Sequence, residues 1–234
     1  MNKIIISLTI LILLSCAGQI KESEKQTDLN DELESFEGKI TYDIEIEYMD
    51  TNSPVDYSNY YENVLHGSSA IYSYGEKGSI LREYPHSGIG GFKYKCFNLN
   101  ENTSFWELRN YDTLYIENPS SNNFELISKA YGDSLQICGY DCQTITYTVL
   151  DPIWNDIIIY RYYYSKEIYL EPTRYVNWKE ALVGEIFGIM KSPILGSDID
   201  YGTYKKHMRA IKVESEKIDE SIFTIPSNIP IVEY

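Results

Sequence analysis

The chain has 234 residues, with 35 acidic side chains against 20 basic ones and a formal net charge of −15 at pH 7. An acidic body of this kind repels nucleic-acid phosphate and anionic lipid surfaces, so nucleic acid is excluded as an expected partner. No apolar run reaches the roughly 20 residues that a membrane-spanning helix needs, and the length suits a single domain with a sizeable core.

The chain starts with one positive charge, Lys3, followed by an apolar run over residues 4–14 that is broken by Ser7 and Thr9. That run is too short to span a bilayer and has the form of a signal-peptide core. It stops at Leu13-Leu14-Ser15-Cys16, which resembles the lipobox of bacterial lipoproteins. The resemblance implies that residues 1–15 are removed and that Cys16 becomes the first mature residue, its thiol carrying a diacylglyceride. Sulfur is the nucleophile that takes the lipid, hence the need for cysteine. The alternative is an ordinary secretory signal cleaved near Ser15 or Ala17, with Cys16 incidental. Residues 16–37 are polar and charged, with little that can be buried, and are expected to form a flexible acidic tether.

A single domain is expected over 38–234. Ile40, Tyr42, Ile44, Ile46 and Tyr48 alternate with Thr41, Asp43, Glu45 and Glu47, the pattern of a half-buried strand. Further strands are predicted at 70–74, 79–84, 92–99, 105–109, 114–117, 124–127, 134–138, 142–150, 157–164 and 204–213. Turn-forming residues separate several of them, at 75–78, 87–91 and 118–123. Connections this short favour antiparallel neighbours, so the fold class is mainly β, an antiparallel meander sheet. The 23 tyrosines fit strands, because a phenol can face a core while its hydroxyl meets water. One covering α-helix is expected at about 178–190, where Trp178, Ala181, Leu182, Glu185, Ile186, Ile189 and Met190 fall at helical spacing. Asn177 and Glu180 form a capping-box pair for it, and Ser192-Pro193 ends it. Gly184 and Gly188 weaken this helix unless it packs closely.

His66, His86 and His207 lie far apart in sequence, and none has metal-ligand spacing, so no metal or other cofactor is expected. No serine occupies a nucleophile elbow, and no glycine loop has phosphate-binding form. An exported chain meets an oxidising compartment, where close thiols usually pair. A three-residue loop Gly139-Tyr140-Asp141 would set Cys138 opposite Cys142 and Leu135 opposite Ile145, which favours a Cys138–Cys142 disulfide. A two-residue loop would shift the pairing and make Cys96 the better partner. No bridge at all is the third possibility.

Three stretches carry a wider resemblance: Phe36-Glu37-Gly38-Lys39-Ile40-Thr41-Tyr42, Cys138-Gly139-Tyr140-Asp141-Cys142, and Ile218 through Phe223-Thr224-Ile225-Pro226. Together they resemble uncharacterised Bacteroidetes lipoproteins related to the GLPGLI group. Where that group has its naming segment, this chain has Gly184-Glu185-Ile186-Phe187-Gly188-Ile189. Such proteins are similar in architecture to the carriers LolA and LolB, which implies a curved sheet or incomplete barrel whose helix closes over an apolar cavity. The expected function is that of a non-enzymatic cell-envelope lipoprotein, lipid-anchored at the outer membrane, binding a lipid or other hydrophobic small molecule. The alternative is a structural lipoprotein that binds an envelope protein partner. A hydrolase is the third reading and requires a histidine and a carboxylate to meet in a cleft.

Overall fold

The computed structural model describes residues 33–49, 57–121 and 124–233, with backbone alone for 57–61. The expected signal segment and Cys16 lie outside the described residues. The described residues belong to one compact unit.

In chain order the elements are β1 (Gly38–Tyr48), α1 (Tyr57–His66), β2 (Ser69–Tyr74), β3 (Ile80–Glu83), β4 (Phe92–Asn98), β5 (Thr103–Leu108), β6 (Leu114–Glu117) and β7 (Glu125–Ile137). They continue with β8 (Tyr140–Asp151), β9 (Asp156–Tyr164), α2 (Val183–Met190), β10 (Gly196–Asp200), β11 (Tyr204–Ser215) and β12 (Ile231–Glu233). All twelve strands form one sheet in the order β12-β6-β5-β4-β3-β2-β1-β11-β10-β9-β8-β7. Two meanders therefore meet at its centre, where β1 pairs with β11. Every pairing is antiparallel except the short one between β12 and β6. The end strands do not pair with each other, so the sheet is not closed into a barrel. The mainly β, antiparallel fold class expected from the sequence is what the structure has.

Because strand side chains alternate, the register sorts them onto two faces. On the inner face Ile40 stands beside Tyr72, which stands beside Arg82, which stands beside Lys95. On the same face Tyr147 opposes Tyr160, Tyr160 opposes Ile199, and Ile199 opposes Lys206. The main core lies here, joined by Tyr175, Trp178, Ile186, Phe187 and Met190 from the segment that follows β9. Burial of each such aromatic side chain contributes about 1.5–3 kcal/mol. Two of the core hydroxyls donate to backbone carbonyls, Tyr42 to that of Ile194 at 2.6 Å and Tyr175 to that of Gly78 at 2.9 Å.

The outer face is divided. Over β3 to β6 it carries Leu81, Cys96, Phe105 and Leu114, which Ile218 and Phe223 of the C-terminal segment cover to make a second core. Over β1, β11 and β10 it carries Glu45, Glu47, Lys205, His207, Arg209 and Asp198.

Several boundaries differ from expectation. The helix starts at Val183, not 178, because Ala181 and Leu182 hold positive φ angles of 47° and 61°. The Glu180 carboxylate is turned toward Lys95 and the Trp178 indole N–H, which takes it away from the expected capping box. Close packing explains Gly184, where a Cβ would lie 2.3 Å from the Tyr175 carbonyl oxygen, but not Gly188, which has nothing within 4 Å. The body begins before Gly38: the Phe36 amide donates to the Tyr169 carbonyl at 2.7 Å and the Phe36 ring is buried, so the tether expected to reach residue 37 overlaps the fold. The segments read as strands at 124–127 and 134–138 are one strand, β7, with register shifts along it. α1, β10 and β12 were not expected.

Candidate functional site

Arg82 occupies the middle of β3, between Tyr72 on β2 and Lys95 on β4. The strand phase that places Ile80 in the core directs Arg82 to the same inner face. Its guanidinium carbon lies 5.2 Å from the ring centres of both Tyr72 and Trp178, a cation held between aromatic faces. Among the described residues it makes no hydrogen bond and no salt bridge. Neighbouring Lys95 differs in this respect, with its Nζ 2.9 Å from Glu117 and 2.8 Å from Glu180. Burial pushes the Glu180 carboxyl up, but Lys95 and then Arg82 hold it below its ordinary value, so it is ionised at neutral pH.

Across the centre of the sheet, β11 brings Lys206 to the same face, beside Ile46 of β1 and Ile199 of β10. Its Nζ is 3.3 Å from His66 Nε2 at the end of α1, and His66 Nε2 is 3.4 Å from Glu62 Oε2. Burial, then Lys206, pushes His66 down to about 4, against the pull of Glu62, so the ring is neutral at physiological pH. Burial lowers Lys206 as well; Glu62 opposes that shift and Arg82 adds to it, which places the two cations within electrostatic reach of each other. Tyr160, Tyr162 and Tyr201 complete the surroundings, their hydroxyls held un-ionised by burial. None of these three hydroxyls is hydrogen-bonded to another described residue.

The arrangement is an aromatic face with two half-buried cations and several open hydrogen-bond donors. It can hold an amphipathic molecule, with rings packing against apolar surface while the donors meet polar atoms.

The sequence-predicted residues are scattered around this site. The Cys138–Cys142 register does not occur: the β7–β8 turn consists of Cys138 and Gly139, at φ 53° and 86°, and Cys142 stands opposite Leu135. A two-residue turn with both central φ angles positive matches the right-handed strand twist, and Gly139 permits it. Cys138 is exposed, Cys142 is buried, and Cys96 is buried in the second core with its thiol 3.8 Å from the Phe223 carbonyl; all three are free thiols. The alternative with Cys96 as partner is not formed either. Burial pushes the Cys142 thiol up to about 11.

The histidines do not converge. His207 Nδ1 is 2.7 Å from Asp198 and its Nε2 is 3.3 Å from Glu47, while Arg209 reaches the same Asp198 oxygen at 2.6 Å. This outer-face network ties β1, β11 and β10 together. His86 Nδ1 is 2.7 Å from Ser69 Oγ. Among the described residues no three His, Cys, Asp or Glu side chains gather to hold a metal ion.

The sequence reading missed Arg82 and Lys206. Both lie in segments read as strands, and each is in phase with apolar neighbours, Arg82 with Ile80 and Tyr84, Lys206 with Tyr204 and Met208. A cation on the apolar phase of a strand was the available signal.

No family model matches the chain, and no curated protein matches it. Among solved structures the chain is similar to the Mycobacterium tuberculosis lipoprotein LppX, at 10% identity and a TM-score of 0.36, over 78% of this chain and 89% of that one.

Proposed function

We propose that this is a non-enzymatic lipoprotein of the cell envelope, held at the outer membrane by lipid on Cys16, whose inner sheet face binds a hydrophobic or amphipathic small molecule. The observation that carries the reading is that this face is aromatic but not sealed. Ile44, Ile46, Arg82, Tyr201, Tyr204 and Lys206 all stand on it or at its margin, and each keeps part of its surface. A face filled by its own side chains would leave no such surface on residues this deep in the fold. Native mass spectrometry of a chain starting at Ala17 is expected to show a second mass series that carries a co-purified hydrophobic molecule. A bare protein mass, together with no uptake of added fatty acid, would overturn the reading.

The exposed sheet edge favours a second reading, docking of a protein partner. β7 pairs with β8 alone, all of its residues but Ile137 are exposed, and Tyr131 on it is 67% exposed. Trp154, at the β8–β9 turn, is 75% exposed. A long open edge with apolar side chains is a place where another strand can add. A photo-crosslinking residue at position 131, tested in cells, should then capture the same partner in repeated experiments. Loss of one unique crosslinked band among random ones would remove this reading.

A further inference from the structure

The described fold spends unusual cations on its interior. The chain has only 20 basic residues against 35 acidic ones, yet Arg82, Lys95 and Lys206 all stand on the inner face. Lys95 is neutralised by Glu117 and Glu180. Arg82 is not neutralised in that way. Glu180 is near enough to favour its charge, but its hydrogen bonds come from Lys95 at 2.8 Å and the Trp178 indole N–H at 3.2 Å and none comes from Arg82.

A guanidinium has five N–H donors, and a half-buried one without protein acceptors is left to water or to a ligand. Ring faces satisfy the charge in part, but they do not accept the N–H groups as an oxygen does. Lys206 adds a second positive charge on the same face, and the hydroxyls of Tyr160, Tyr162 and Tyr201 add donors. Glu62 favours the charge on Lys206, whereas Arg82 has no oxygen partner among the described residues and lies between aromatic rings.

We propose that Arg82 and Lys206 receive the anionic headgroup, carboxylate or phosphate, of a single-chain amphiphile whose tail lies along the tyrosine-lined inner face. Arg82 is the principal contact, because its planar fork matches two oxygens of either group. Lys206 contributes charge from the far side, and the tyrosine hydroxyls donate to the remaining oxygens. The inference rests on the inner face being a ligand site.

The test compares four probes by titration calorimetry on a chain starting at Ala17, which keeps the whole described body: dodecanoate, dodecyl phosphate, dodecanol and inorganic phosphate. Both acids should bind at least about tenfold more tightly than dodecanol, and inorganic phosphate should bind more weakly than dodecyl phosphate. Arg82→Gln should weaken binding of the acids at least about tenfold more than that of dodecanol, with an unchanged far-UV circular dichroism spectrum showing that the variant is folded. Arg82→Lys should restore part of the preference. Equal affinity for dodecanoate and dodecanol, unchanged in Arg82→Gln, overturns the headgroup assignment but leaves the ligand-binding reading standing. Binding of inorganic phosphate as tight as that of dodecyl phosphate overturns the amphiphile and leaves a free-anion site. If no chain-bearing probe binds, the headgroup assignment falls together with the reading on which it rests.

Discussion

His66 sits between a carboxylate and an ammonium group, and its neutrality is a property of the fold. Burial holds it down to about 4, whereas the free side chain titrates near 6.5. Between those values the unfolded chain binds more protons at this site than the folded one does. The stability tied to neutral His66 is therefore fully present above about pH 6.5 and is lost as the pH falls toward 4. A shift of this size corresponds to a ceiling of about 3 kcal/mol. The lowered carboxyls, Glu62, Glu180 and Asp198, act below their own ordinary values, so their losses come later in the acid range. His66→Gln removes the titrating ring. Its urea midpoint should fall less between pH 7 and pH 5 than that of the parent chain; parallel falls would assign the acid sensitivity elsewhere. The thiols allow a second test at this scale. In a chain starting at Ala17, a thiol reagent should label Cys138 quickly and Cys96 and Cys142 slowly in the native state, and all three in denaturant. A single reactive thiol in denaturant would reveal a bridge that the folded register does not set up.

At the scale of elements, the two glycines of α2 give opposite predictions. A Cβ on Gly184 would meet the backbone oxygens of Tyr175 and Trp178 at 2.3 and 2.8 Å, and neither can move without breaking the turn that seats Trp178. Gly184→Ala should cost about 1–3 kcal/mol. Gly188 is exposed with nothing within 4 Å, so Gly188→Ala should stabilise by about 0.5–1 kcal/mol through helix propensity and a less disordered unfolded chain. Urea unfolding of the two variants checks both signs. The same helix shows what the sequence can convey. The spacing of Ile186, Ile189 and Met190 marks a helix, but the left-handed residues Ala181 and Leu182 that delay its start are set by the packing of Trp178 on Phe97, 3.8 Å between ring centres. β1 was legible because its period-two alternation is local. The β7–β8 turn was not: Cys-Gly and Gly-Tyr-Asp are both acceptable loops, and the choice between them is made by the bulged register of β7 against β8. α1 was missed because its tyrosines and asparagines are weak helix formers, held in place by tertiary contact such as His66 on Tyr84 and Phe92. The site residues were hidden for a related reason. Arg82 and Lys206 belong to strands far apart in the chain, and only the central β1–β11 pairing places them on one face.

For the whole molecule, the proposed anchor and the described body are tested by different measurements. Among the described residues the earliest member of either apolar core is Phe36, whose ring packs edge-on to Tyr74 at 5.6 Å. Lipid on Cys16, as proposed, would add membrane affinity. One acyl chain gives only marginal, reversible membrane binding, while two or more give stable attachment, and the strongly acidic body adds no attraction to anionic lipid. Location should therefore depend on Cys16 and folding should not. In cells, Cys16→Ala should abolish incorporation of labelled palmitate and move the protein from the membrane fraction to the soluble one. The purified variant should unfold at the same urea concentration as a chain that starts at Ala17. Retention in the membrane without palmitate would mean that the exposed β7 edge or another surface holds the protein there. A shifted midpoint would mean that the leader segment packs on the body. Release with an unchanged midpoint separates address from fold.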